Sequence, residues 1–457
     1  MNTVQTTGEQ TDRSSIKLAL QAVIVAIWLL CIFTFSAPED WKAGTYGTDA
    51  ILPPEQIKLL KLGARLSSCF ALLLGIWSLW HRKDSGRVLI YYFPVILFSG
   101  WILATIFWSP LKTVSIQQAV SFAISICLAM LVSLIWKSEA TISRILFHIV
   151  VVLALISVGL ICLALAFPQY GVLTKESSGL FHSTTAGATA SLGTILTISI
   201  VCNYGWNWSK FIVGPAVVAH LAVLILAGNR FSIILTVLFG ALVIGLLLEV
   251  AGKAVLLTVI GGTCLIYLLV DPGLTLTGDA VDKVEEYARQ GQSTSQLKTV
   301  SGREEMWSKM WISFQDSPVI GHGYFVTSET GRIHVWDEWG NWTAHSMYLQ
   351  VLVSTGIVGM VLFLLAMLTP FAVLLTRITK VGRRARKSMT LLLIMGCWFA
   401  FWGILNSSVV GPTQPESVVF GVLYGAAIAS VSRNTASPDF VRGRRGRRTG
   451  SLAENAE

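Results

Sequence analysis

The sequence predicts an all-α polytopic membrane protein with about 12 transmembrane helices. Two properties of the 457-residue chain indicate this class. Hydrophobic residues make up 53% of it and charged residues only 13%, whereas soluble domains carry about 25% charge. Hydrophobic runs close to the ~20 residues needed to cross a bilayer also recur along the whole chain. The composition therefore excludes an ordinary soluble enzyme.

The predicted spans follow these runs, and polar or charged residues bound each of them. They are placed at 16–36, 60–80, 88–108, 117–136, 145–167, 186–204, 210–228, 231–250, 253–270, 347–376, 388–410 and 416–432.

The spans divide the chain into four predicted regions. The tail is rich in Arg, Gly and Ser and has few apolar residues, which is typical of disorder. The regions are a membrane domain with the first nine spans (1–270), an extracytoplasmic loop with amphipathic helices (271–346), the last three spans (347–432) and a disordered basic cytoplasmic tail (433–457).

The distribution of basic residues predicts the orientation, since Lys and Arg beside a span are retained on the cytoplasmic side. With the N-terminus inside, Arg82, Arg386 and Arg445 all fall on that side. Topology therefore accounts for most of the net charge of +9, and we expect no nucleic-acid partner. Each span moves the chain to the other side of the membrane. Counting spans from an inside N-terminus therefore predicts that the 271–346 loop, Arg230 and the 411–414 loop share the outer face.

The 271–346 loop contains the candidate chemistry, and a capping-box pattern near its middle predicts a helix. Ser301 is the expected N-cap, with Glu304 three residues on. Met306, Trp307, Met310, Trp311 and Phe314 then form an apolar, aromatic stripe. We expect this helix to lie in the headgroup layer of the membrane. An earlier stretch, 278–291, has the spacing of a second short amphipathic helix.

Arg303 lies in the first turn of the predicted helix. Free backbone N–H groups and the helix dipole favour an anion there, and a guanidinium adds bidentate recognition of phosphate. Arg303 is therefore a candidate diphosphate-binding residue. The alternative is an ordinary salt bridge to Glu304, Glu305 or a lipid headgroup.

His345 stands where the polar loop becomes the next hydrophobic helix, with Thr343 as the expected N-cap. The dipole at a helix N-terminus disfavours imidazolium, so such a histidine stays neutral and can act as a base near pH 7. The alternative is an interfacial histidine satisfied by a carbonyl group.

Arg230 opens a hydrophobic span on the predicted outer face. An arginine at membrane depth is costly and usually has an identifiable partner. A lipid-linked phosphate would be such a partner, and a cage of carbonyl or carboxylate groups is the alternative.

Several other polar residues are candidates for contacts with a sugar or an acceptor. The three tryptophans of the loop predict either a sugar-stacking platform or an interfacial belt. On the predicted outer side there is no Asp-x-Asp motif and no cluster with the spacing of metal ligands, so we expect neither a metal nor a cofactor. The possible contacts are Trp336, Trp339, Trp342, His322 and Tyr348.

These motifs together resemble the bacterial O-antigen ligase and polysaccharide polymerase superfamily, which includes exopolysaccharide polymerases of the succinoglycan type. The resemblance covers roughly residues 179–359. It lies in Asn229-Arg230 opening a span, Gly302-Arg303 followed by Trp307, Pro318-x-x-Gly321-x-Gly323-Tyr324, and His345-x-x-Tyr348-Leu349 running into Gly356-Ile357-Val358-Gly359. The usual His-Asn pair of the family reads His345-Ser346 here.

The resemblance implies a metal-independent glycosyltransferase of the bacterial inner (cytoplasmic) membrane, with its active face in the periplasm. Such an enzyme takes a glycan from an undecaprenyl diphosphate carrier and transfers it to a glycan or lipid acceptor in the cell envelope. Carried onto this sequence, the family pattern makes His345 the group that activates the acceptor hydroxyl. It makes Arg303 and Arg230 the groups that hold the diphosphate.

Two rival interpretations belong to another functional class. A polysaccharide transporter usually divides into related halves with binding residues at the membrane midplane, whereas this chain places its long loop outside, after the predicted ninth span. A flippase for lipid-linked oligosaccharide needs a cationic path across the membrane, and the sequence shows no clear one.

Overall fold

The structure is a computed structural model that describes residues 2–33, 54–80, 85–136, 139–166, 183–204, 210–249, 253, 303–335, 339–341 and 343–432. Several predictions lie outside these residues, among them most of the span at 253–270, the helix at 278–291, the N-cap Ser301 and the basic tail.

Before the polar loop, the described chain consists of eight helices. They are α1 (Asn2–Ile32), α2 (Pro54–Leu79), α3 (Ser85–Thr105), α4 (Lys112–Ile135), α5 (Glu139–Ala166), α6 (Ser183–Tyr204), α7 (Lys210–Leu226) and α8 (Arg230–Leu247).

From residue 303 onward, the chain adds a short helix, a small hairpin and three long helices. In order they are α9 (Arg303–Asp316), β1 (Ile333–Val335), β2 (Trp339–Asn341), α10 (Met347–Arg377), the 3-10 turn Ile378–Lys380, α11 (Arg383–Leu405) and α12 (Pro415–Ser432). The two strands pair antiparallel, with His334 opposite Gly340.

The predicted fold class is confirmed. Among the described residues, ten helices are long and apolar enough to cross a membrane, and Val213–Leu226 within α7 is a shorter apolar helix. Because the predicted ninth span lies largely outside the described residues, the total of about 12 stays a prediction. Several predicted spans run past the ends of their helices, among them 88–108 past the end of α3 at Thr105 and 388–410 past the end of α11 at Leu405.

Helix α12 lies at the centre of the bundle. In its most apolar 18-residue stretch, 89% is buried, compared with 22% in the corresponding stretch of α2. Small residues allow α4 to approach its backbone closely: a Cβ added at Gly425 would lie 2.2 Å from the Ala129 carbonyl oxygen, and one at Gly421 would lie 2.8 Å from that of Ser125. Such contacts are typical of packing between membrane helices. The N-terminus of α12 is thereby fixed by the surrounding helices.

Helix α10 is kinked where the loop after α9 joins it. Gly356 has φ 67° inside the helix, and the amide of Ile357 donates to the Pro318 carbonyl at 2.8 Å instead of continuing the helical ladder. The amide of Gly323 in turn donates to the Ser354 carbonyl at 2.9 Å. Inserted hydrogen-bonding groups are a recognised cause of helix kinks. The loop and the helix therefore form one hydrogen-bonded unit.

Candidate active site

A polar cavity of about 190 Å³ lies where three separate chain segments meet. It is smaller than the roughly 300–1,000 Å³ of pockets that enclose drug-sized ligands, so it suits a reacting group better than a whole glycan. His345 is the titratable residue among its lining residues. The lining consists of Thr184, Thr185, Thr343, His345, Asn406, Ser407, Ser408, Pro412 and Gln414.

His345 is held in an unusual backbone conformation. Its φ of 46° lies in the left-handed region, which costs on the order of 1 kcal/mol for a residue with a side chain. The preceding residue is fixed from both sides: the Ala344 amide donates to Gln350 Oε1 at 2.6 Å, and the Ala344 carbonyl accepts from Trp307 Nε1 at 2.9 Å. These two hydrogen bonds hold the turn that directs His345 to the cavity.

Ser346, and not Thr343, is the N-cap of α10. The Ser346 hydroxyl accepts from the amide of Leu349 at 3.5 Å, and Thr343 lines the cavity instead. The prediction was wrong because the turn at His345 delays the helix start, so that α10 begins at Met347. Ser and Asn are both preferred N-cap residues, so the position that reads Asn in the family has a helix-capping role here.

Arg303 lies in the first turn of α9, as predicted, and reaches the end of another helix. Its Nη1 donates to the carbonyl of Leu405, the last residue of α11, at 3.0 Å. Leu405 directly precedes Asn406, which lines the cavity. Burial lowers the pKa of the Arg303 guanidinium, and the neighbouring carboxylate of Glu305 pairs with Lys309 at 2.9 Å instead.

Among the described residues, the Arg303 guanidinium does not use all of its hydrogen-bonding capacity. It carries five N–H donors, and within the described part of the chain its one hydrogen bond goes to the Leu405 carbonyl. No described carboxylate forms a salt bridge with it, so the predicted alternative of an ion pair with Glu304 or Glu305 is not what the structure shows. A partly buried guanidinium of this kind suits an anionic ligand.

Arg230 opens α8 at the same end of the bundle. Asn229 is the N-cap, and its Oδ1 accepts from the amide of Ser232 at 3.0 Å. The N-terminus of α6 packs closely here, since a Cβ added at Gly187 would lie 2.8 Å from that of Asn229. Phe231 stacks on Trp402 of α11 with a centroid distance of 5.9 Å. These contacts place the start of α8, where Arg230 lies, beside α6 and α11.

The opposite end of the bundle carries basic residues. Glu249, just after α8, pairs with Arg383 at 3.3 Å and with Lys387 at 3.4 Å, and Arg377 at the end of α10 donates to the Val431 carbonyl near the end of α12. The N-termini of α8, α10 and α12 and the C-terminus of α11 therefore lie at the other end, with the cavity. This separation agrees with the basic flanks and the candidate site lying on opposite faces.

Other predicted site residues lie elsewhere or outside the described residues. His322 is buried under α9, where its Nε2 bonds with the Ser313 carbonyl at 2.7 Å, and Tyr348 donates to the Ala400 carbonyl at 2.9 Å. Neither lines the cavity. Trp339 contributes its backbone to β2, while Trp336 and Trp342 fall outside the description.

The apolar stripe predicted on α9 divides between two environments. Met306, Met310 and Phe314 are buried against the hairpin and α10, so they serve the fold of the loop. Trp311 is 50% exposed and Ile312 61% exposed. That exposed pair is the part of α9 that suits the predicted contact with headgroups.

The segment 406–414 supplies most of the residues that sequence reasoning missed. It connects α11 to α12 and contributes Asn406, Ser407, Ser408, Pro412 and Gln414 to the cavity. The signal was the polar run Asn406-Ser407-Ser408, which interrupts a hydrophobic stretch. Thr184 and Thr185 carried no comparable signal. Among the described residues, no three His, Cys, Asp or Glu side chains are grouped as metal ligands would be.

Part of the chain matches a known protein family. Residues 177–364 match the model of a protein family described as O-antigen ligase. The matched region includes Arg230, Arg303, His345 and the kink in α10. A search among curated proteins found no match to the chain.

Proposed function

We propose that this chain, whose residues 177–364 match a family model described as O-antigen ligase, is a glycosyltransferase that uses a lipid-linked donor. The donor is a saccharide on an undecaprenyl diphosphate carrier, and the acceptor is a hydroxyl group of a glycan or glycolipid. Transfer takes place at the periplasmic face of the bacterial inner membrane and serves the synthesis of an envelope polysaccharide such as an O-antigen or exopolysaccharide.

His345 is the proposed general base. It lines the polar cavity next to the start of α10, where the helix dipole favours a neutral imidazole. A neutral imidazole nitrogen can take the proton of the acceptor hydroxyl as that oxygen attacks the sugar. The hydrogen bonds to Ala344 hold the backbone beside it, which supplies the orientation that proton transfer requires.

Arg303 and Arg230 are the proposed ligands of the diphosphate. Arg303 is held by a neutral carbonyl at 3.0 Å, so its charge remains available to an anion. Arg230 lies in the first turn of α8, where backbone amides and the dipole also favour negative charge. Two cations at this end of the bundle would stabilise the charge that builds up on the departing diphosphate.

The proposed reaction is a single displacement at the anomeric carbon. The acceptor oxygen forms a new bond to that carbon, and the bond between the carbon and the carrier phosphate oxygen breaks. The electron pair of the broken bond leaves with the diphosphate, whose charge the arginines balance, and the acceptor proton moves to His345. The products are an extended glycan and the free carrier diphosphate.

One observation supports this proposal most directly. Arg303 reaches the final carbonyl of α11, and the next residue in the chain shares a cavity with His345. A cation and a base that are distant in sequence thus converge on the same helix terminus. Neither role alone needs this proximity, but transfer from a diphosphate donor needs both.

The experiment is a transfer assay on purified protein with a polyprenyl diphosphate-linked oligosaccharide and a free oligosaccharide acceptor. We expect His345→Ala to lower the rate by about 100- to 10,000-fold, the usual contribution of a general base, and Arg303→Ala by a similar factor. His334→Ala and Arg332→Ala, at exposed positions of the same loop, are the matched controls. Transfer at the native rate by His345→Ala would overturn the proposal.

The flippase alternative is tested by the same preparation in liposomes. If lipid-linked sugar crosses between leaflets and no new glycosidic bond forms, the protein is a flippase. Mass analysis of the reaction product distinguishes the two outcomes directly, since only transfer changes the mass of the acceptor.

A further inference from the structure

Asn406 lines the cavity at the point where α11 ends. Its side-chain Oδ1 accepts from the backbone amide of Ser408 at 2.7 Å. A backbone amide can only donate, so the atom that faces it has to be the oxygen of the Asn406 carboxamide. The orientation of this side chain is therefore fixed, and its oxygen belongs to a turn of the chain.

The partner of Asn406 in this turn is itself held in place. Ser408 is 3% exposed, and its hydroxyl oxygen accepts from Trp402 Nε1 at 3.3 Å. The indole of Trp402 stacks on both Phe231 and Trp398, with ring-centroid distances of 5.9 Å and 5.4 Å. The turn at Asn406 is thus connected to packed side chains of α8 and α11.

The nitrogen of the Asn406 carboxamide is left for a ligand. Nδ2 carries two N–H donors, and within the described part of the chain neither of them has a hydrogen-bond partner. Asn406 is only partly buried, as a side chain on a cavity wall should be. This residue therefore offers the cavity a donor group in a fixed orientation.

A second donor group reaches the same helix end. Arg303 Nη1 donates to the Leu405 carbonyl at 3.0 Å. Leu405 and Asn406 are consecutive residues, and consecutive Cα atoms lie about 3.8 Å apart. A guanidinium, like the Nδ2 group of a carboxamide, donates hydrogen bonds and cannot accept them. Two groups that only donate are thus neighbours, and together they match a ligand that only accepts.

We propose that Asn406 is a third ligand of the donor diphosphate, and that its Nδ2 donates to a phosphate oxygen beside the Arg303 guanidinium. The inference rests on the proposed function and adds a neutral ligand to its two arginines. Asn406 shares the cavity with His345 and the helix end with Arg303. The phosphate that it binds is therefore the one attached to the sugar carbon that reacts.

The chemistry of the two substrates favours the diphosphate over the acceptor hydroxyl as the partner of Asn406. Diphosphate oxygens are ionised at neutral pH, and hydrogen bonds to ionised acceptors are the stronger ones. The acceptor hydroxyl has to lose its proton to His345 as its oxygen attacks. An N–H donor on that oxygen would engage the lone pair needed for the attack. Nδ2 therefore suits the leaving group, where negative charge builds up.

The test uses two substitutions that keep the turn and remove the N–H donors. Asn406→Ser and Asn406→Asp both retain a side-chain oxygen for the Ser408 amide, and the serine variant adds no charge. We expect Asn406→Ser to raise the KM for a polyprenyl diphosphate-linked donor about 10- to 100-fold, the usual effect of losing a hydrogen bond to a charged group. Asn406→Asp should raise it further, because a carboxylate repels the diphosphate.

The KM for a free oligosaccharide acceptor and the melting temperature in detergent should stay at their native values in both variants. Ser308→Asp is the matched control for added charge, since Ser308 is exposed on α9, and it should change neither KM. A native KM for the donor in Asn406→Ser would overturn the inference. An equal rise in the two KM values would do so too, because it would indicate a distorted cavity. Should one Asn406 variant fail to fold, the other decides by the same comparison.

Binding without transfer separates this inference from the proposed function. Calorimetry with a short-chain polyprenyl diphosphate that carries no sugar measures the diphosphate site alone. Its affinity should fall in Asn406→Ser by about the same factor as the KM for the donor rises, and should stay unchanged in Ser308→Asp. If this pattern appears and the native protein transfers no glycan, the proposed function fails and the diphosphate site stands. If transfer occurs and Asn406→Ser binds the diphosphate as the native protein does, only the role of Asn406 is wrong.

Discussion

Trp307 donates its indole N–H to the carbonyl of Ala344 across 2.9 Å. Trp307 belongs to the helix that begins with Arg303, and Ala344 directly precedes His345. A single hydrogen bond thus connects the helix with the proposed diphosphate ligand to the turn with the proposed base. The position of one group affects the position of the other.

Replacement of Trp307 by Phe tests this connection. The change keeps an aromatic ring and removes the donor, which leaves the Ala344 carbonyl without that partner and costs about 1 kcal/mol. We expect the melting temperature in detergent to fall slightly and the transfer rate to fall about tenfold, because His345 loses part of its orientation. Trp311→Phe, at a 50% exposed position of the same helix, should change neither quantity. Equal effects of the two substitutions would contradict the connection.

The capping role of Ser346 predicts which substitutions are tolerated there. Ser346→Asn retains a side-chain oxygen for the Leu349 amide, so transfer should stay within about twofold of the native rate. Ser346→Ala loses the cap, which typically costs about 1 kcal/mol, and the turn at His345 should loosen with it. Transfer rates and melting temperatures of both variants provide the check. A greater loss of transfer activity in Ser346→Asn than in Ser346→Ala would argue for a chemical role of the hydroxyl.

Lysine is a poor substitute at position 303. Arg303 uses one N–H for the Leu405 carbonyl and keeps a planar set of donors for a second partner, whereas a lysine ammonium is a point charge on a flexible stem. We expect Arg303→Lys to lower kcat/KM for the donor by roughly 10- to 100-fold, less than Arg303→Ala does. Steady-state kinetics with a varied donor concentration measure this. Full activity with lysine would show that charge alone suffices.

The kink in α10 predicts a severe effect at a single glycine. Gly356 has φ 67°, and a Cβ there would lie 2.2 Å from the Val319 carbonyl oxygen. Gly356→Ala combines backbone strain with overlap and should cost about 3 kcal/mol or more. Thermal unfolding in detergent measures the loss.

Gly100→Ala is the matched control, because a Cβ at this position of α3 meets nothing within 4 Å. Alanine also suits a helix interior better than glycine does. The control should therefore unfold at or slightly above the native temperature. Similar melting temperatures for the two variants would mean that the joint at Gly356 contributes little.

The sequence was sufficient to predict the long helices that the structure describes and the convergence of distant segments. Hydropathy identified the long spans because a bilayer demands long apolar runs, and the parity of the spans predicted that Arg230 and the 411–414 loop share a face with the polar loop. The structure places their helix termini at the same end of the bundle. The placement of Arg303 in the first turn of α9 also followed from local pattern alone.

The details of the cavity depend on where α11 ends. Hydropathy averaged over a window of residues does not locate such an end. Apolar residues surround Asn406, Ser407 and Ser408 in the sequence, so the predicted span absorbed them, whereas the structure ends α11 at Leu405 and exposes them to the cavity. The left-handed conformation of His345 could not be anticipated either. One of the hydrogen bonds that hold the adjacent Ala344 comes from Trp307, 37 residues earlier in the chain, which no local signal encodes.

The joint between residues 318–323 and α10 limits how relatives of this protein can be recombined. Amides of α10 beyond Gly356 take their partners from the loop, and amides of the loop take theirs from α10. A chimera that exchanges the polar loop at the start of α10 would thus separate two halves of a single hydrogen-bonded joint. Chimeras with proteins that match the same family model should place the crossover after Gly359, so that loop, glycine and helical turn are inherited together.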